Sequence, residues 1–384
     1  MRWACLLLAM VCILGALPRS VSAAPPEVGG KSSCLMDVAT GTVLQEANAH
    51  EPLAPASVTK VMTMLLIMEA IDSGKIGWDD SVTTSEAAAA KGGSQVYLKV
   101  GETMTVTDML KSIAVSSAND CACAMAEHIA GSEATFVELM NSRAQELGMK
   151  DTHFVNCTGL DDSEEAKNHR TSAHDIALMS RQLLRNHPEI KKFTTIWMDS
   201  VRDGAFGLSN TNKLVRFYDG ATGLKTGFTS GAGYCLSASA MREGMELIAV
   251  VMGAETSKER FNTCKSLLDH GFANYALIQP DLTETGSVPV KLGKASQVTP
   301  RLGQQPCLLI DKAQKSTVTT QVQLEAELTA PVSQGQRLGT LTVRSGEQIL
   351  KEIPLVAAEG VERLRFGDLF LLALKKAAMA NPSS

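Results

Sequence analysis

Aromatic residues supply only 4% of the 384-residue chain, with three tryptophans and four tyrosines among them. So sparse a set offers no stacking platform for bases or extended sugars. Positive charge is not in excess either. Lys and Arg number 36 against 41 Asp and Glu, for a net charge of −5, and no basic cluster stands out in the body of the chain. That balance argues against a nucleic-acid partner. The seven histidines and nine cysteines form no convincing zinc-ligand spacing, so neither a metal nor a cofactor is expected. No apolar run reaches the ~20 residues needed to cross a bilayer. Repeats and low-complexity tracts are absent as well. What is present is an ordinary globular composition, 45% hydrophobic and 20% charged, sufficient for a sizeable core and for two domains on length alone.

Residues 1–23 read as an export signal rather than as structure. Arg2 provides the positive end, Trp3 to Leu17 the apolar run, and Val21-Ser22-Ala23 the small-residue pattern before a cut after Ala23. Cys12 does not look like a lipoprotein site, because Ala9-Met10-Val11 lacks the usual small residue just before it. Removing this segment takes Arg2 and Arg19 with it and moves the net charge from −5 to −7. Cys34, Cys121, Cys123, Cys157, Cys235, Cys264 and Cys307 remain, an odd number without framework spacing in a chain too large to need staples. They are expected as small buried residues of the core.

Residues 34–47 read as two strands around a turn at Thr40-Gly41. Pro52 and Pro55 then precede a helix expected from Ser57 to about Ile71. Further helices are expected over 104–125, 133–147, 175–185 and 255–275, with paired strands over 233–241 and 245–252. Strands at both ends with helices between them imply one α/β (α+β) domain over 24–278, its sheet completed by non-local pairing. Period-two alternation over 316–324, 340–344 and 349–356 marks a small all-β sandwich domain over 279–360. Over 361–384, Phe366, Phe370, Leu374 and Ala377 share one helical face, opposite Arg365, Asp368, Lys375 and Lys376. This pattern suits an amphipathic helix anchoring the chain in a membrane interface.

Three islands carry the chemistry: Ser57-Val58-Thr59-Lys60, Ser117-Ala118-Asn119 and Lys225-Thr226-Gly227. The order S-x-x-K, S-x-N, K-T-G is a signature of acyl-transferring serine enzymes. Ser57 needs an adjacent base to act as a nucleophile, and Lys60, nearly one helical turn on, has its amine on the same face. Lysine serves as a base when burial or a neighbouring cation lowers its pKa, and Lys225 is the expected cation. Ser117 offers a second hydroxyl to pass the proton to a leaving amine. Asn119 offers an amide to hold the lysine and a substrate carbonyl, whereas Asp120 reads as structural. Lys225 and Thr226, expected just before a strand, suit a carboxylate, and Gly227 lets a substrate backbone approach. The N–H groups of Phe228 and Ser57 are the expected oxyanion hole.

With their flanks, Pro55 to Thr63, Ser116 to Asp120 and Asp219 to Thr229 resemble the low-molecular-mass penicillin-binding proteins, serine-type D-alanyl-D-alanine carboxypeptidases. The resemblance covers roughly 30–278, and the β domain and tail resemble that family's C-terminal module and anchor. It implies a penicillin-binding/serine β-lactamase-like catalytic domain with Ser57 as acylated nucleophile and Lys60 as its base. Ser117 and Asn119 then shuttle protons and position substrate, while Lys225 and Thr226 bind the terminal carboxylate. Asn210-Thr211-Asn212-Lys213 and Arg260 also fall in segments similar to the family; Arg260 is a possible substrate contact or, as a helix-surface arginine, a structural residue.

The implied function is removal of the terminal D-alanine from peptidoglycan pentapeptide stems at the outer face of the cytoplasmic membrane, with β-lactams as covalent inhibitors. A D,D-endopeptidase on cross-links, a β-lactamase using Glu164 and Asn168, and a non-catalytic cell-wall scaffold are the alternatives.

Overall fold

The computed structural model describes residues 28–282, 285–304, 306–368, 370, 371 and 374. The expected export signal and most of the expected amphipathic tail lie outside the described residues. Strands β1 (Ser32–Asp37) and β2 (Val43–Ala47) form the first hairpin, and β3 (Ala221–Thr229), β4 (Gly233–Arg242) and β5 (Met245–Ala254) follow late in the chain. Together they make one antiparallel sheet in the order β2-β1-β5-β4-β3, with Leu35 opposite Ala249 across the non-local pair. The long excursion between β2 and β3 carries helices α1 (Lys60–Asp72), α2 (Val106–Ser116), α3 (Asn119–Ala130), α4 (Glu133–Glu146) and α5 (Ala173–Asn186); α6 (Ser257–Asn274) comes after β5.

Side chains alternate across a strand, so a sheet covered on both faces needs apolar residues at consecutive positions. Cys34, Met36, Val250 and Met252 face the helical layer of α1 and α5. Leu35, Leu236, Leu247 and Ala249 face α6 through Cys264, Leu267 and Phe272. Helix α1 lies at the centre of its layer, against α2, α3, α4 and α5. Every residue from Lys60 to Met68 is buried, as expected of a helix that is apolar nearly all round. The described cysteines are free thiols, all buried except the half-exposed Cys307.

Two expectations need correction. The helix read over 104–125 is two helices, because Ser117 takes the left-handed conformation (φ 63°) and ends α2 before α3 begins at Asn119. Backbone bonds to a crossing segment hold this break: Asn119 N–H donates to Ser94 O at 2.7 Å, and the Asp120 carboxylate accepts from the N–H groups of Val96 and Leu98. Continuous apolar periodicity hides such a break. Second, Lys225-Thr226-Gly227 lies inside β3 rather than before a strand.

Strand β6 (Tyr275–Ile278) ends where the first unit was expected to end, yet pairs with β7 (Leu308–Asp311) of the second. Beyond it, β8 (Val318–Leu324), β9 (Arg337–Ser345) and β10 (Gln348–Ala357) form an antiparallel sheet with β9 central to the three. Leu341, Val343, Ile353 and Leu355 supply its buried face. No helix among the described residues is long and apolar enough to cross a membrane.

Candidate active site

The three islands converge where α1, the α2–α3 break and strand β3 meet. Ser57 sits in a 3₁₀ turn, Ala56–Thr59, that leads into α1, so the helix proper begins at Lys60 and not at Ser57 as expected. The Lys60 ammonium donates to Ser57 Oγ at 3.1 Å and to Thr158 O at 2.8 Å. Lys60 has no exposed surface. Burial drives its pKa down to about 7, against the opposing pull of Cys157 and Asp120. The expectation that Lys225 performs this depression is corrected: desolvation on a helix without a solvent face does it. Lys225 is itself held well below the ordinary lysine range, first by burial and then by the charges of Lys60 and Arg260.

Ser117 and Asn119 enter from the α2–α3 break, both nearly fully buried. Ser117 Oγ and Asn119 Oδ1 have no hydrogen-bond partner among the described residues. Buried polar atoms are ordinarily satisfied, so both of these atoms retain the capacity for a further hydrogen bond. The amide nitrogen of Asn119 donates to Gly92 O at 2.7 Å, so it ties down the crossing segment rather than the lysine as expected. Asp120 is structural as read, accepting three backbone N–H groups from Val96, Leu98 and Cys121.

Strand β3 is the edge of the sheet and lies against the Ser57 turn. A Cβ on Gly227 would stand 2.7 Å from Pro55 O and 3.0 Å from the backbone nitrogens of Ser57 and Val58. The glycine therefore admits the turn, a closer reason than the substrate approach expected for it. Phe228 is the next residue along the strand; its side chain is 52% exposed and stacks on Tyr234 at 4.2 Å. Lys225 Nζ donates to Thr226 O at 2.9 Å, and the Thr226 hydroxyl donates to Thr211 Oγ1 at 2.7 Å. A half-buried serine in contact with a fully buried lysine, two polar atoms with bonding capacity left, and a second buried lysine beside Thr226 can form an acyl-serine and hold a carboxylate.

Residues 19–256 match the family described as D-alanyl-D-alanine carboxypeptidase. The chain belongs to that family. Residues 273–363 match the C-terminal domain of penicillin-binding protein 5. The D-alanyl-D-alanine carboxypeptidase DacF of Bacillus subtilis (strain 168) is 45% identical over 343 residues, spanning 88% of this chain and 87% of its own. Penicillin binding protein 5 from Haemophilus influenzae superposes with a TM-score of 0.74 at 32% identity, covering 89% of this chain and 100% of that one. Penicillin-binding protein D2 from Listeria monocytogenes, in an ampicillin-bound form, gives 0.58 at 32% identity over 64% of this chain and 98% of that one.

Two residues of this carboxypeptidase site carried no clear signal in the sequence. Thr211 reaches Thr226 because Asn210 and Asn212 staple their segment to the carbonyls of Ile196 and Gly223. Its only trace was the family likeness of Asn210 to Lys213. Thr158 contributes a carbonyl, which no side-chain pattern reports. Arg260, read as a substrate contact or a structural helix-surface arginine, is structural but buried rather than on the surface. It is 8% exposed, lies against the rings of Tyr234 and Phe261, and donates to Gly227 O at 2.8 Å and Cys235 O at 3.2 Å. Its guanidinium braces β3 and β4 from behind. Glu164 is 87% exposed and pairs with Lys167, which leaves the lactamase reading without a buried carboxylate from that loop.

The close approach at Gly227 predicts that Gly227→Ala, whose methyl group meets backbone it cannot displace, lowers the second-order rate of penicillin acylation by at least tenfold. Gel detection of a fluorescent penicillin adduct over time measures it.

Proposed function

We propose that this protein removes the terminal D-alanine from peptidoglycan pentapeptide stems through an acyl-enzyme on Ser57, and that penicillins acylate the same serine. The observation that carries this reading is the contact of Ser57 Oγ with a fully buried Lys60 whose pKa is brought to about 7. In the forward step Ser57 Oγ attacks the carbonyl of the penultimate residue while its proton passes to Lys60. The oxyanion takes the N–H groups of Ser57 and Phe228. The peptide C–N bond then breaks, and the departing D-alanine amine receives its proton through Ser117. Water hydrolyses the ester, again giving its proton to the basic pair. Lys225, Thr226 and Thr211 bind the terminal carboxylate, which supplies the negative charge that a buried lysine lacks. Asn119 Oδ1 accepts from a substrate N–H.

The carboxypeptidase reading predicts loss of a single alanine from a pentapeptide stem, seen by mass analysis, and no such loss with Ser57→Ala. Release of cross-links instead would favour the endopeptidase alternative, and rapid turnover of penicillin the lactamase. The scaffold alternative would gain from a wild-type protein that trims nothing and traps no penicillin.

Lys60 accepts the proton only when neutral. An ordinary lysine would be neutral in roughly one molecule in three thousand at pH 7. With its pKa at about 7, half of the Lys60 amines are available there. The acylation rate constant of the free enzyme therefore falls tenfold per pH unit below about 7 and levels off above it, a profile that stopped-flow acylation reads directly.

We also propose that the chain is exported and rests on the outer face of the cytoplasmic membrane through its C-terminal helix. The signal-like pattern of residues 1–23 and the exposure of Phe366, Phe370, Leu371 and Leu374 support this reading. Deleting the residues after Gly360 is expected to move the protein from membranes to the soluble fraction with its carboxypeptidase activity unchanged. Retention on vesicles of anionic lipid by the truncated protein would contradict the anchor.

A further inference from the structure

The strained turn that carries Ser57 is held by a hydrogen-bond chain that begins at a histidine outside the three islands. Ala56 adopts φ +48°, a region that residues with a Cβ rarely occupy and that persists only where the surroundings impose it. Its carbonyl lies against Gly159, where a Cβ would stand 1.8 Å from the oxygen. The same carbonyl accepts from the Thr59 hydroxyl at 2.8 Å. Thr59 Oγ1 in turn meets His169 Nε2 at 2.8 Å, and His169 Nδ1 accepts from the N–H of Val155 at 3.1 Å.

These contacts allow a single direction of donation. Val155 has only a hydrogen to give, so Nδ1 is the acceptor and Nε2 bears the ring proton. Nε2–H then donates to Thr59 Oγ1, which leaves the threonine hydrogen for Ala56 O. His169 is 4% exposed, and burial, with His153 and Lys60 nearby, holds its imidazole down to about 4. It is neutral in the working range and takes no proton from the site.

The peptide linking Ala56 to Ser57 is planar, so the direction of the Ala56 carbonyl fixes the opposite direction of the Ser57 N–H. We propose that His169 and Thr59 are positioning residues that aim the Ser57 N–H into the oxyanion site by anchoring the Ala56 carbonyl on the other side of the same peptide plane. The polar loop over 161–168, which the lactamase reading searched for a base, thereby delivers a brace at its end. The inference rests on the acyl-serine reading of Ser57.

The test compares Thr59→Val, Thr59→Ser, His169→Asn and the double variant Thr59→Val/His169→Asn in the full chain. The readouts are penicillin acylation, affinity for a peptidyl boronic acid that mimics the tetrahedral state, and melting temperature. Loss of an oxyanion donor costs about a hundred- to a thousandfold, so misaiming one is expected to cost about ten- to a hundredfold. Thr59→Val and His169→Asn should lose that much in acylation rate and in boronate affinity. Their rate–pH midpoint should stay near that of the wild type, and the double variant should be no worse than either single one. Thr59→Ser keeps the hydroxyl and should stay within about threefold of the wild type.

Wild-type rates in Thr59→Val overturn the proposal, as do multiplicative losses in the double variant or a Thr59→Ser loss equal to that of Thr59→Val. A rate loss with unchanged boronate affinity overturns it too. Should His169→Asn fail to fold, the near-isosteric Thr59 pair decides alone. Ser57→Ala separates the two readings: residual acylation there removes the acyl-serine assignment, whereas a dead Ser57→Ala beside unaffected Thr59 variants removes only the positioning role.

Discussion

The ammonium of Lys60 is enclosed because the helix bearing it has no solvent-facing stripe, and the chemistry of the site depends on that enclosure. Packing from α2, α3, α4 and α5 on one side and the sheet on the other strips the lysine of water. Desolvation then disfavours its charged form, leaving a base matched to neutral pH beside Ser57. A residue of ordinary exposure at the same spacing would be an ammonium that could only donate. In the proposed mechanism the hydrophobic core serves a catalytic purpose as well as a stabilising one, through a single side chain.

The nucleophile turn is pressed between two glycines on different elements. Gly227 admits it from the β3 side and Gly159 receives the Ala56 carbonyl from the other. Arg260 binds the Gly227 carbonyl from behind the strand, so its charge shapes the backbone edge that faces Ser57. The unpartnered Ser117 Oγ and Asn119 Oδ1 stand on a separate wall, made by a helix break that backbone bonds to the crossing segment hold in place. Three walls of different origin enclose one serine, which is why the motifs lie so far apart in the chain.

Much of this is legible in the sequence. Strand-like runs around turn residues located β1, β2, β4 and β5, and apolar runs with helix-stop residues located α1, α4, α5 and α6 to within a few residues. The break at Ser117 was missed because the apolar pattern runs through it, and the interruption is imposed by a segment about twenty residues upstream. The strand placement of Lys225 was missed for a related reason: an edge strand beside an active site carries polar residues where the alternation rule looks for apolar ones. Arg260 is structural, one of the two readings open for it, but buried, whereas charge in a helix ordinarily means exposure; aromatic neighbours and two backbone carbonyls make its burial tolerable.

Residue identities and spacing alone determined the reaction class, since S-x-x-K, S-x-N and K-T-G each name the groups an acyl transfer requires. They also determined which strands alternate and which helices bury a face. The tertiary structure decided what each group can do: that burial rather than Lys225 tunes Lys60, that Gly227 serves the turn, and that Thr211, Thr158 and His169 belong with the site. The physical reason is that pKa, strain and backbone approach depend on what surrounds a residue in space, and those surroundings are assembled from segments that the linear chain keeps apart.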